Sequence, residues 1–187
     1  MRRVAVIGTS CCGKTRFAQR LATLLDDPHI ELDALYWGPR WTPEPRERFR
    51  QRVASAIDAP HWVVDGNYRP VRDLVWHRAT TVVWLDYGFP RIFARALRRT
   101  MRRVWHRERL FGGNRETFRQ AFLSRDSILW WVVTSHRRRR REYAAARRGA
   151  EYAHLEWVVC THPRDAERFL DRLARARAAD SRPPPAV

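Results

Sequence analysis

Short apolar runs alternate along this chain with longer stretches in which apolar residues recur every three or four positions. The run Val4-Ala5-Val6-Ile7 is continuous, which predicts a strand over Arg3 to Ile7 buried on both faces. His29-Ile30-Glu31-Leu32-Asp33 alternates polar and apolar residues and predicts a short second strand ending at Asp33. Trp62 to Asp65, broken by Gly66-Asn67, is a third strand; Thr80 to Asp86 and Leu155 to Cys160 are the fourth and fifth. Helical spacing fills the intervals. One helix runs from Gly13 to Leu25 with Phe17, Leu21, Leu24 and Leu25 inward. Another runs from Pro43 to Ala59, capped by Thr42, with Phe49, Val53 and Ile57 as its stripe. Pro90 to Arg109 places Phe93, Leu97, Met101 and Val104 on one face and Arg91, Arg95, Arg98 and Arg102 on the other. Asn114 to Ser124, Asp126 to Arg148, and Pro163 to Ala178 with Ala166, Phe169, Leu170 and Leu173 inward complete the set. Strands separated by helices rather than hairpins predict an α/β fold with a parallel sheet and right-handed crossovers.

A length of 187 residues suits one domain, expected over residues 1–178, with a Pro-rich disordered tail at 179–187. At 44% hydrophobic and 12% aromatic residues, the chain has enough to bury for a globular fold. Its net charge of +17 implies attraction to polyanions, and it does not choose among nucleotides, nucleic acid and acidic surfaces. A compositional preference for Arg explains the excess equally well. Three cysteines, two of them adjacent, form neither a disulfide framework nor a spaced metal quartet, which implies a reduced, cytoplasmic protein. No apolar stretch reaches the roughly twenty residues that a membrane span needs.

The stretch that carries chemistry is Gly8-Thr9-Ser10-Cys11-Cys12-Gly13-Lys14-Thr15, set between the first strand and the first helix. Two glycines followed by Lys-Thr in that context form a phosphate-binding P-loop pattern. The loop curls its backbone N–H groups toward phosphate oxygens, the helix that follows adds its positive end, Lys14 reaches the β- and γ-phosphates, and the Thr15 hydroxyl ligates Mg²⁺. Of 37 basic residues, Lys14 is the only lysine, and a compact ammonium suits a phosphate site better than a planar fork. Cys11 and Cys12 occupy positions where any small side chain suffices, or else they make nucleotide binding sensitive to oxidation.

Three other features bear on function. Asp33 at the carboxyl end of a parallel strand would face a ligand, or else it is a surface acid. The aromatic stretch Tyr36-Trp37-Gly38-Pro39-Arg40-Trp41 either covers a substrate and stacks on a base, or plugs the space above the sheet. The Arg face at 91–102, followed by Gly112-Gly113 as a joint, is either a solvated surface or part of a lid over about 90–125 that closes on phosphate. The five arginines from Arg137 to Arg141 wrap more than one helical turn and cannot all face one ligand.

Together with the P-loop, the blocks Leu32-Asp33-Ala34-Leu35-Tyr36-Trp37 with Trp41, Asp65-Gly66-Asn67-Tyr68-Arg69, Val83-Trp84-Leu85-Asp86, the Arg91 to Arg103 helix and the Trp131 to Tyr143 segment resemble adenylate kinase and its relatives. The resemblance is greater to small bacterial P-loop proteins labelled DNA topology modulation proteins. It implies a P-loop NTPase fold of nucleoside-monophosphate-kinase type, a five-stranded parallel sheet in the order 2-3-1-4-5, and an Arg-rich lid. It further implies ATP and Mg²⁺, with Asp65 as the acid of the metal shell and Arg69 as a phosphate contact. Asn67 and Tyr68 replace the Phe-Pro of adenylate kinases, so specificity for adenylate does not carry over.

The expectation is a kinase that moves the γ-phosphate of ATP to a small acceptor: a nucleoside, a nucleotide or another small alcohol. Residues Gly8 to Thr15 would hold the nucleotide, Thr15 and Asp65 the metal, Asp33 the acceptor, and Arg95, Arg98 and Arg102 the transferring group. The alternatives are a nucleic-acid-binding protein with a regulatory nucleotide site and an ATP-binding switch without phosphotransfer.

Overall fold

The structure is a computed structural model that describes residues 2–106 and 127–180. The predicted helix at Asn114 to Ser124, the Gly112-Gly113 joint, most of the expected lid and the last seven residues lie outside the described residues.

Five strands form one all-parallel sheet: β1 (Arg3–Gly8), β2 (His29–Glu31), β3 (Trp62–Asp65), β4 (Thr81–Leu85) and β5 (Glu156–Cys160). Their spatial order is β2-β3-β1-β4-β5, as the resemblance implied. The described helices are α1 (Lys14–Leu25), α2 (Leu32–Tyr36), α3 (Arg46–Ala56), α4 (Arg69–Arg78), α5 (Phe89–His106), α6 (Ile128–Arg148) and α7 (Pro163–Asp180). None of them is long and apolar enough to cross a membrane.

Successive side chains of a strand point to opposite faces, so the apolar run of β1 feeds two cores. Val4 and Val6 join Val63, Val83 and Leu85 beneath α1, α5 and α7, where Phe17, Leu21, Ile92, Ala96, Phe169 and Leu170 are buried. Ala5 and Ile7 join Val64, Val82 and Trp84 beneath α3 and α4, with Phe49, Val53, Val71, Val75 and Trp76. Helix α6 serves both, giving Val132 to the first core and Tyr143 to the second. Burying each such aliphatic or aromatic side chain contributes about 1.5–3 kcal/mol.

Four expectations need correction. The second strand ends at Glu31, and Leu32 to Tyr36 turns into the short α2, so Asp33 lies in a helical turn rather than at a strand end. Thr42 does not cap α3, because Thr42 closes the 3-10 turn Pro39–Trp41 and Pro45 stands at the start of α3. Helix α4 was not anticipated: Val71, Val75 and Trp76 supply its inward face. The inward face of α5 is Ile92, Ala96 and Thr100, while Met101 is 58% exposed. The heavier apolar residues do not decide that face, which turns Ile92 and Ala96 into the first core instead.

Candidate active site

The parallel register brings three strand ends to one edge. Val6 of β1 lies opposite Asp65 of β3, and Glu31 of β2 lies opposite Asp65 on the other side. Ligands of open α/β sheets sit beyond the carboxyl ends of the strands, and here the P-loop leaves β1 at that edge.

The loop conformation explains its glycines. Gly8 has φ 150°, and a Cβ there would stand 2.7 Å from the Leu85 carbonyl oxygen and 2.8 Å from the Cys12 sulfur. Gly13 has φ 97° immediately before α1, in the left-handed region that ordinary side chains avoid. Between them the Cys12 N–H donates to the Thr9 carbonyl at 3.2 Å, closing a turn, and Cys11 takes φ 67°. Thr9 is buried and Ser10 half-buried at the tip of the loop. Cys12 is buried in the core, which pushes its thiol pKa up despite the nearby Lys14 ammonium. A protonated, enclosed sulfur is a packing group rather than a nucleophile.

Lys14 curls over the loop, its Nζ donating to the Thr9 carbonyl at 3.4 Å. Burial opposes its charge, and the neighbouring carboxylates of Asp33 and Asp65 favour it. The Thr15 hydroxyl donates to Glu31 Oε1 at 3.3 Å. Glu31 is held above the usual carboxylate range by burial first, then by the like charges of Asp65 and Asp33. Asp65 is 2% exposed, stands 3.6 Å from His29 Nε2, and its Oδ2 makes no hydrogen bond among the described residues.

Those oxygens are the hard donors that Mg²⁺ takes, and an unpartnered buried carboxylate oxygen on the strand paired in register with the Thr15-bonded Glu31 fits such an ion. Among the described residues no three His, Cys, Asp or Glu side chains form a metal cage by themselves. Mg²⁺ does not require one, since it keeps waters and shares substrate phosphates. Glu31 was missed in the sequence, although its alternation with Asp33 was visible; only the register with Asp65 gives it a place.

Asn67 fastens the loop from β3. Its side-chain amide donates to the Gly8 carbonyl, and its Oδ1 accepts from the Gly8 N–H at 3.3 Å. Its own carbonyl is held by Arg139 at 3.0 Å. Tyr68, the next residue, donates its phenol to Asp33 Oδ1 at 2.7 Å. Burial first, then the charge of Asp33, pushes the phenol pKa well above its usual value, so it stays a donor.

The remaining sequence candidates divide. Arg95 donates to the Cys12 carbonyl at 2.8 Å and stacks over Tyr87, which brings α5 against the P-loop. Arg98 and Arg102 are exposed on the following turns of α5. Arg69 is 77% exposed and stands 4.0 Å from Glu142 of α6. Of the five-arginine run, Arg139 reaches Asn67 and Tyr143, Arg140 pairs with Asp86 at 3.0 Å, and Arg137, Arg138 and Arg141 are exposed. The aromatic stretch packs on itself: Tyr36 meets Trp37, Phe49 and Tyr68 with ring centroids 4.6 to 5.0 Å apart.

No family model and no curated protein sequence matches this chain. Solved structures do. The chain is similar to a shikimate kinase from Acinetobacter baumannii in complex with shikimate, at 14% identity and TM-score 0.52, over 97% of this chain and 95% of that one. It is similar also to a gluconokinase from Sinorhizobium meliloti 1021, at 19% identity and TM-score 0.50, over 97% and 98%. At these identities the likeness shows a shared fold: the five-stranded parallel α/β fold of P-loop kinases.

Proposed function

We propose that this chain is an ATP-dependent phosphotransferase acting on a hydroxyl of a small acceptor. The observation that carries the reading is that the P-loop with Lys14 leaves β1 at the sheet edge where Glu31 and Asp65 stand in register, with the Thr15 hydroxyl on Glu31 and Asp33 two residues beyond it, so a phosphate cation, a metal-shell acid and an acceptor acid converge on one edge. The fold likeness to a gluconokinase and a shikimate kinase supports it.

The P-loop backbone and Lys14 bind the β- and γ-phosphates. Thr15, Asp65 and Glu31 are the residues that would hold Mg²⁺, which when bound neutralises phosphate charge. Asp33 accepts the proton of the acceptor hydroxyl as that oxygen bonds to the γ-phosphorus. The bond from the γ-phosphorus to the β–γ bridging oxygen breaks, and ADP leaves with the electron pair. Arg95, Arg98 and Arg102 extend from the helix that leads toward the expected lid, and their cationic face would offset charge on the transferring group. The bulk of the rate comes from alignment and preorganised charge.

Nucleic-acid binding has the net charge of +17 and the Arg-rich helices in its favour, but three of the five consecutive arginines are engaged within the molecule. The test is transfer of labelled γ-phosphate to a pooled alcohol and nucleoside library. Transfer that vanishes in Lys14→Ala while the melting temperature holds supports the kinase; equal transfer in Lys14→Ala removes it.

A further inference from the structure

The acceptor side carries more than one carboxylate. Tyr68 donates to Asp33 Oδ1 at 2.7 Å. The phenol proton is therefore committed to Asp33. Two acceptor positions remain at this corner: Asp33 Oδ2 and the Tyr68 oxygen. Both residues are half-buried, so the corner opens to solvent on one side.

Resting on the phosphotransferase reading, we infer that the acceptor is a polyol, with Asp33 and Tyr68 reading two hydroxyls on adjacent carbons. Such hydroxyls stand about one hydrogen-bond length apart, roughly 2.8 Å. One donates to Asp33 Oδ2 and is phosphorylated, and its neighbour donates to the Tyr68 oxygen. The half-buried rings of Tyr36, Trp37 and Tyr68 form the adjoining wall. A polyol has a C–H side for that wall and an O–H side for the polar corner. A planar base suits it less: Tyr36 meets Trp37 at 79°, Phe49 at 66° and Tyr68 at 45°, which leaves no pair of parallel faces to stack between. The aromatic stretch thus both fills the space above the sheet and walls the acceptor corner.

The test uses the full chain and ATP, with glycerol, erythritol, xylitol, myo-inositol and D-gluconate as probes, each against an analogue lacking one of two adjacent hydroxyls. Nucleosides and simple mono-alcohols form a third arm, and binding of a fluorescent ATP analogue is followed in parallel. The expected result is transfer to at least one polyol, with kcat/KM lower by about tenfold or more for its deoxy analogue, because a site built to bond a hydroxyl rejects a ligand without it. In Tyr68→Phe, which keeps the ring, that preference should fall to near unity with the melting temperature unchanged. Transfer to nucleosides or mono-alcohols with no preference for adjacent hydroxyls overturns the inference, and so does a preference that survives Tyr68→Phe. Rejection of every polyol while Lys14-dependent ATP binding persists also overturns it, leaving the nucleotide site intact. Loss of ATP binding itself would instead remove the kinase reading. The deoxy comparison needs no variant, so it decides even where Tyr68→Phe folds poorly. The neutral polyols and D-gluconate separate a plain diol from one that also carries a carboxylate.

Discussion

The two sides of this site are built from different material. The proposed phosphate side is backbone: a loop of eight consecutive residues whose glycines take φ values of 150° and 97°, clamped at Gly8 by the Asn67 amide. The proposed acceptor side is side chain: Asp33, Tyr36 and Trp37 from α2 and its C-terminal end, and Tyr68 from the start of α4, joined by one hydrogen-bonded corner. Phosphate is the same on every nucleotide, so a rigid backbone cradle serves it. An acceptor is particular, and side chains can be exchanged without rebuilding the sheet. Damage on the two sides should accordingly differ in kind, the first costing stability and the second costing turnover.

Asp33→Asn should show the largest effect, a loss of turnover of about 10²- to 10⁴-fold, since general-base help of that order is removed. Its melting temperature should stay at the parent value, and a parallel fall in stability would erase the distinction between the sides. Gly8→Ala should do the reverse. Its Cβ meets the Leu85 carbonyl at 2.7 Å in a backbone conformation closed to alanine, so unfolding in urea should show a loss of about 3 kcal/mol together with weaker ATP binding.

Asn67→Ala comes next, at about 1–3 kcal/mol, because the buried groups of Gly8 lose both partners at once. Denaturation should report it, and a nucleotide affinity unchanged by this variant would mean that the clamp does not shape the loop. The smallest effect is that of Glu31. Its carboxyl pKa is raised in the folded protein by burial, then by Asp65 and Asp33, so the native state holds that proton to higher pH than the unfolded chain. Stability from this group therefore falls as pH rises from about 4 through the raised value. In metal-free buffer Glu31→Gln should flatten that fall, with a gain below about 1 kcal/mol because the half-exposed group is screened by solvent. A steeper decline in the variant would reverse the sign of this argument.

Local pattern was enough for most of the fold. β1, β3, β4 and β5 carry unbroken apolar runs, and α1, α3 and α7 carry stripes whose period leaves one orientation open, so Phe49, Val53, Ile57, Phe169 and Leu170 are buried as read. It failed where packing space rather than hydrophobicity decides. On α5, Ala96 and Thr100 are buried while Met101 faces water, so the face is set by what the helix packs against and not by its heaviest apolar residues. Helix α4 went unread because Arg69-Pro70 at its start and the charged residues among its apolar ones dilute the stripe of Val71, Val75 and Trp76.

The sequence by itself determined the loop proposed to bind phosphate. Its chemistry lies in contiguous residues, and the glycine spacing, Lys14 and Thr15 express a local conformation that needs no distant partner. Only the tertiary structure decided the rest of the site. Glu31 gains its place from the register of β2 on β3, Asn67 from the approach of β3 to the end of β1, and Tyr68 from the proximity of α4 to α2. Each of these is a contact between residues far apart in the chain, set by how a parallel sheet orders its strands, and no local pattern of hydrophobic and polar residues encodes it.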